Sequence, residues 1–279
     1  MSTTTITTTT TATTTRNELA KLSPRFEIRQ LKHEHLPWIN AIVAHGLVYA
    51  SLWGVVYPEN RTARCYQAFR ARDNLTRREI ESGMSFGVFD TEYQYKRPKS
   101  AKTSGKLYWD ENNLEATREQ LLEQMDFPLV SVALSYDGFY PPSTEEMRPM
   151  IDLRPLYATY VKALTVRDSR DPATWSPRGP SEVLMRSGTH TRADYAGHGL
   201  MKSLAHTLMR EAARKGYRGI QIQCISDAVS KTWLNPPAPF EGSLVSEFDT
   251  RTFEDEVDGK RIKPFAACAQ VCRKVYVTL

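Results

Sequence analysis

The sequence predicts a mixed α/β fold in which strands outnumber helices, and two observations carry that prediction. Short alternating or continuous apolar runs bounded by polar turns recur from Phe26 to the carboxy end, as strands require. Between them lie amphipathic stretches whose apolar residues fall three and four apart, as on one face of a helix. The bulk composition agrees with a folded chain: of 279 residues, 41% are hydrophobic and 25% charged, and 14 Gly and 16 Pro are ordinary counts.

The chain opens on Ser2 to Thr15, almost entirely threonine, with too little apolar surface to offset the entropy of ordering it. Residues 1–22 are therefore expected to be a disordered tail, and residues 23–279 a single domain. FEIRQL, from Phe26, alternates like a half-buried strand. HEHLPWINAIVAHGLVYA then spaces Leu36, Ile39, Val43, Leu47 and Ala50 at helical intervals, with Pro37 in the first turn. Met84 to Asp90 and Leu129 to Asp137 read as strands, and KRPKSAKTSGK between them as a solvated loop. Ser143 and Glu146 form a capping-box pattern, ahead of a helix on which Met150, Leu153, Tyr157, Tyr160, Val161 and Leu164 share a face. Arg167 to Pro180 is rich in turn-formers, and EVLMRSGTHTR beyond it is a strand. The carboxy end offers a short helix in DAVSKTW, broken by NPPAPF, then VSEFDTRTF, a polar turn EVDGK and a last alternating strand RKVYVTL.

Several function classes are disfavoured. The net charge is +5, but the 37 basic and 32 acidic residues are interspersed, without the basic–aromatic stripe of a nucleic-acid binder. No run approaches the eighteen or so apolar residues of a membrane span, and the amino terminus lacks the basic and apolar regions of a secretory signal. Cys268 and Cys272 stand four apart, but no second Cys or His pair lies nearby to complete a metal site. Cys65, Cys224, Cys268 and Cys272 are thus expected as free thiols, and the chain as a cytoplasmic protein, with a nuclear one not excluded.

The most informative stretch is TRADYAGHGLMKSLAHTLMREAARKGYRGIQIQCI. After the AGHG turn, Leu200, Leu204, Leu208 and Ala212 recur every four residues while Lys202, His206, Arg210 and Arg214 fall elsewhere, Gly216 ends the helix, and GIQIQCI supplies a strand. Strand, glycine turn, helix, strand places unpartnered N–H groups and the positive end of a helix dipole at the carboxyl end of a strand, where an anion binds. The plain alternative is that Gly197 and Gly199 only permit a tight turn. A Walker loop ending at Lys202 would need glycines where Ala196 and Met201 stand, and a dinucleotide fingerprint a third glycine where Lys202 stands; both fail.

AGHGLM, Ala196 to Met201, resembles the pyrophosphate loop of the GNAT superfamily of acyl-CoA N-acyltransferases, with Gly199 at the central glycine, Gly197 at a frequent accessory glycine and Leu200 in the aliphatic slot. Ala196 stands where the family usually has arginine or glutamine, and Met201 replaces a small residue. The order of elements from about Phe26 to Leu279 follows the family. The resemblance implies a mostly antiparallel, twisted sheet flanked by helices, splayed beside the AGHG strand, with a segment inserted around residues 138–180. It implies acetyl-CoA or another acyl-CoA as co-substrate and no metal, direct acyl transfer to a small-molecule or peptide amine, and neither nucleic acid nor membrane as partner. Backbone groups of Thr189, His190 and Thr191 would meet the pantetheine amides, and Ala196, Gly197, His198, Gly199, Leu200 and Met201 would cap the pyrophosphate.

Transfer to an amine requires it neutral, since an alkylammonium with a pKa near ~10.4 has no lone pair. Candidate bases are Glu182 at the start of the AGHG strand, Asp137 at the end of LVSVALSYD, and His190. The family's usual acid is a tyrosine on the following helix, where Thr232 and Trp233 stand; Tyr195 and Tyr276 are possible substitutes, or solvent. Tyr157 and Tyr160 are read as core packing at helical spacing, with a cover over the acceptor side of the cleft, shared with Phe139, Tyr140 and Trp175, as the alternative. A non-catalytic relative that binds a CoA ester or a protein partner is the alternative reading.

Overall fold

The computed structural model describes residues 22–279; the threonine tail lies outside them. The first half runs β1 (Phe26–Gln30), α1 (Leu36–Tyr49), α2 (Leu52–Val56), α3 (Arg61–Ala71), α4 (Asp73–Glu81) and β2 (Phe86–Asp90). Next come α5 (Pro98–Lys102), β3 (Lys106–Leu107), α6 (Arg118–Glu123), β4 (Met125–Asp126) and β5 (Leu129–Asp137). Between β5 and the next strand lie α7 (Thr144–Leu153), α8 (Tyr157–Thr165) and α9 (Pro172–Trp175). Then follow β6 (Val183–Thr191), α10 (Leu200–Arg214), β7 (Gly219–Cys224) and α11 (Asp227–Leu234), and finally β8 (Glu241–Asp249), β9 (Asp255–Val257), β10 (Lys260–Ile262) and β11 (Val271–Thr278).

Seven strands form one sheet in the order β1-β2-β5-β6-β7-β11-β8, antiparallel at every step except the parallel step from β6 to β7. The predicted architecture, a mixed and mostly antiparallel sheet flanked by helices, is the one observed. On one face α10 lays its Leu200, Leu204, Leu208 and Ala212 stripe against Val88, Val130, Leu184 and Ile220. At roughly 2 kcal/mol for each fully buried leucine, that stripe fixes the helix and so the loop ahead of it. On the other face α1 is buried almost all round, from Leu36 and Ile39 to Leu47 and Val48, because α3 covers the side that the sheet does not. A third cluster joins α2, α3, α7 and α8 to Phe248 and Cys272 of the far strands.

Four differences from the sequence reading have physical causes. The helix predicted from Ser143 onward is two helices, because Pro155 disfavours helical geometry at its predecessor, and Arg154 turns to φ −134°, ψ 71°. KRPKSAKTSGK holds α5 and β3, the latter paired with β4. Residues 52–81 carry α2, α3 and α4, two of which are strongly polar on one side, so that α-helices equal strands, eleven of each among the described residues. His206 is buried although it lies off the leucine stripe of α10, and its burial pushes its pKa down. The capping boxes at Ser143 with Glu146 and at Thr117 with Gln120 are both formed.

Candidate functional site

The site begins where β6 and β7 part. They pair only from Val183↔Gly219 to Met185↔Gln221. Beyond these residues the two strands diverge, and a cleft opens between the carboxyl halves of neighbouring strands. On its other side β6 stays paired with β5 as far as Ser131↔Thr191, with a shift between Leu134 and Ser135 that leaves Ser187 as the extra residue of a bulge. Arg186 fills the break: its guanidinium donates to the carbonyl oxygens of Leu134 and Gly188 and to the hydroxyls of Ser135 and Thr189.

At the end of β6 the chain is pinned before it reaches the glycines. Arg192, almost wholly buried, donates to the carbonyls of Met125 and Phe127 at 3.0 and 3.1 Å and pairs with Asp194 at 2.7 Å. Tyr195 donates its hydroxyl to Asp90 at 2.7 Å, and Asp90 is held in turn by Arg25. Gly197 and Gly199 follow with φ of +86° and +71°, a conformation that disfavours any Cβ. Neither has a heavy atom within 4 Å of where a Cβ would stand, so packing does not demand glycine there and the space in front of the loop is open. The first bond of α10 in the AGHG turn runs from Ser203 N to Gly199 O, and the N–H groups of Leu200, Met201 and Lys202 precede it. Gly199 makes no side-chain cap, and no acidic residue lies in the first turn. Backbone donors, a dipole end and open space are what a pyrophosphate needs.

The three candidate bases do not meet. Asp137 and Glu182 sit at the opposite end of β6 from the AGHG loop, roughly 25 Å away at about 3.3 Å per strand residue. Each is engaged locally. Asp137 accepts from the N–H groups of Phe139 and Ser181 at 3.0 and 2.7 Å, and Glu182 accepts from Arg178 N at 2.9 Å with Arg218 at 3.6 Å. His190 alone belongs to the cleft region. Its ring lies against Gly46 of α1, where a Cβ would stand 2.7 Å from Nδ1, and against Gly188, where one would stand 3.3 Å from Nε2. Protein packs closely around the residue, which nevertheless stays partly exposed. Burial, with the charges of Arg72, Arg154 and Arg186 added, pushes its pKa down to about 3. It stays neutral, and a group so weakly basic is suited to accepting a hydrogen bond rather than keeping a proton.

Of the other predicted residues, Thr191 shares a 2.7 Å hydroxyl contact with Ser131, and Thr189 accepts from Arg186. Tyr195 belongs to the loop anchor, and Tyr276 lies on β11 over Gly219. Trp233 is fully buried beside Arg186. Tyr160 is buried as expected, while Tyr157 is only partly so, stacks on Tyr160 and lies tilted against Trp53. All four cysteines are free and buried. Among the described residues no helix is long and apolar enough to cross a membrane.

The sequence reading passed over Arg72, Arg154 and Arg186. Arg186 carried a signal, a charge in mid-strand between VLM and SG; the other two carried none, since only tertiary folding brings α3, the end of α7 and β6 together.

No family model and no curated protein matches the sequence. Solved structures do match. The C-terminal condensation domain of Ebony, in complex with β-alanyl-dopamine, superposes with a TM-score of 0.59 at 15% identity over 91% of this chain and 99% of its own. Polyamine N-acetyltransferase of Drosophila melanogaster, described as forming N-acetylagmatine, gives 0.51 at 12% identity over 91% and 100%. Arylalkylamine N-acetyltransferase 2 from Aedes aegypti gives 0.51 at 10% over 90% and 97%. At such identities the likeness is one of fold.

Proposed function

Because the chain has the fold of the GNAT N-acyltransferases, we propose that it is an acyl-CoA-dependent N-acyltransferase, with acetyl-CoA as the donor to test first. The observation that carries the reading is the open, positive-φ glycine turn at the start of α10, at the mouth of the cleft between β6 and β7. The backbone N–H groups from Gly197 to Met201 hold the pyrophosphate. The edge of β6 from Thr189 to Thr191, unpaired with β7, offers the pantetheine amides a strand-like partner. The donor supplies the acyl thioester.

The chain's own residues then govern the amine. Among the described residues no unpaired carboxylate stands at the cleft end of β6, since Glu79 is paired with Arg72 and Asp194 with Arg192, while Arg154 and Arg186 add a positive field there. The burial and, after it, the positive field that keep His190 neutral equally disfavour an ammonium ion, so the acceptor sheds its proton to water on entry. His190 Nε2 accepts a hydrogen bond from the neutral amine and orients its lone pair. As the C–N bond forms and the C–S bond breaks, the amine's second proton leaves to solvent and the thiolate is protonated from it.

The absence of a poised base favours a second reading, a protein that binds a CoA ester without turning it over. Two measurements separate them. Calorimetric titration with acetyl-CoA reads the loop; at a hundred times Kd the ligand should add about 2.7 kcal/mol of stability. Free-thiol release across an amine library reads the chemistry: tight binding with no release supports the second reading, and no binding of any short acyl-CoA rejects both.

A further inference from the structure

Behind the bulge of β6 lies a chamber of charged and aromatic side chains from five elements. His190 of β6, Tyr136 of β5 and Arg154 after α7 keep some accessible surface while protein packs around them, and the partly exposed Tyr157 of α8 lies against Arg154. Arg72 and Glu79 of α4 and its cap complete the wall; they pair with each other at 2.6 Å, both buried. That pair cancels, leaving Arg154 and Arg186 with no carboxylate partner among the described residues. Arg186 has its terminal nitrogens committed to the bulge, and its Nε is buried without a partner. Arg154 is different. Its Nε donates to Met150 O at 3.3 Å, but its two terminal amino groups have no hydrogen-bond partner among the described residues. Its guanidinium lies 5.4 Å from the Trp53 ring and 4.6 Å from the Tyr157 ring, which hold it by its faces and leave its edge to donate.

Those terminal nitrogens still touch solvent while protein packs around the rest of the group, a partial desolvation whose cost an anion at the free edge would offset. Burial pushes both Arg154 and Arg186 down to about 10, which records that cost. An arginine edge presents paired N–H donors that match the two oxygens of a carboxylate. With Glu79 already paired to Arg72, a purely cationic amine entering this chamber would meet net repulsion from Arg154 and Arg186; one that also bears an acid would offset it and still present its nitrogen to His190.

We propose that the acceptor is an amine that also carries a carboxylate, an amino acid or a compound built like one, and that Arg154 binds the carboxylate. The proposal rests on the acyltransferase reading and narrows it. Arg154 is then a specificity-determining residue, while Arg186 holds the bulge and adds to the field.

Matched acceptors test it. With saturating acetyl-CoA, thiol release is measured for tyrosine against tyramine and for arginine against agmatine, and binding of N-acetyltyrosine is compared with that of N-acetyltyramine. The carboxylated member of at least one pair should be favoured about tenfold or more in kcat/KM, and N-acetyltyrosine should bind more tightly. Arg154→Met should erase the preference mainly through KM, Arg154→Lys should keep part of it, and neither should change acetyl-CoA affinity. Because the pairs are compared on the unaltered protein, a variant that fails to fold does not blunt the test. Equal or better use of tyramine and agmatine, or equal binding of the two acetylated compounds, overturns the proposal and leaves acyl transfer standing. Failure of acetyl-CoA to bind rejects the acyltransferase reading itself, and this inference with it.

Discussion

On the proposed reading Gly199 matters to binding and little to stability. A Cβ there meets no heavy atom within 4 Å, so a substitution suffers chiefly the positive φ of +71°, a cost of about 1–2 kcal/mol. The methyl groups of a valine would enter the open space that the reading gives to the pyrophosphate. Gly199→Val is expected to abolish acetyl-CoA binding in calorimetry while lowering the melting temperature by a few degrees; His198→Ala, which leaves the main chain as it is, should bind within a few-fold of the parent. His190 makes a prediction in pH. Its folded value of about 3 lies below the usual 6.5, so on acidification the unfolded chain takes the proton first. Its share of stability is therefore complete above about pH 6.5 and falls by up to about 1.4 kcal/mol per pH unit towards pH 3. His35, His45 and His206 are held down in the same sense by burial. Urea midpoints between pH 7.5 and 5 should thus slope downwards with acid, and His190→Asn should remove one proton's worth of that slope; an unchanged slope would mean that the imidazole is not desolvated.

β6 is the element on which everything else depends, and it was only partly legible. EVLMRSGTHTR announces a strand, and the glycines after it announce a turn into a helix. The bulge at Ser187 was not announced, since a bulge is set by the register between two strands and neither strand encodes it alone. Arg186 is the fastener: Arg186→Met would leave the Leu134 and Gly188 carbonyls without their donor, and should cost about 3–5 kcal/mol in urea unfolding. The break between α7 and α8 was legible in part, because Pro155 disfavours helical geometry at Arg154, although Pro149 sits inside α7 without breaking it. Periodicity alone carried the pattern straight through it. Glu182 and Asp137 show how little a strand pattern says about distance. They flank the right strands, but at the end away from the loop, and a residue's place along a strand is worth about 3.3 Å per step.

At the scale of the molecule, the segment between β5 and β6 is fastened to the far strands. Asp168, buried, is bound by Arg170 at 2.7 Å and by the buried Lys274 of β11 at 3.1 Å, and the two cations hold its carboxyl well below the usual range. Asp168→Asn would strand the Lys274 ammonium and should destabilise the whole chain by about 3 kcal/mol in a single cooperative transition; a separate early transition would show that the segment unfolds by itself. The sheet has a peculiarity of its own. Strand edges ordinarily lie at the margin of a sheet, but here two of them, the facing sides of β6 beyond Met185 and β7 beyond Gln221, lie at its centre. The sheet is thus two leaves joined along three residue pairs. Amide protons lining the gap should exchange with deuterated water as quickly as those of a peripheral strand, in the middle of what is otherwise the slowest-exchanging part of the fold. When a ligand chain lies along the gap as a stand-in strand, those same protons should become the most strongly slowed in the molecule, drawing its outline residue by residue.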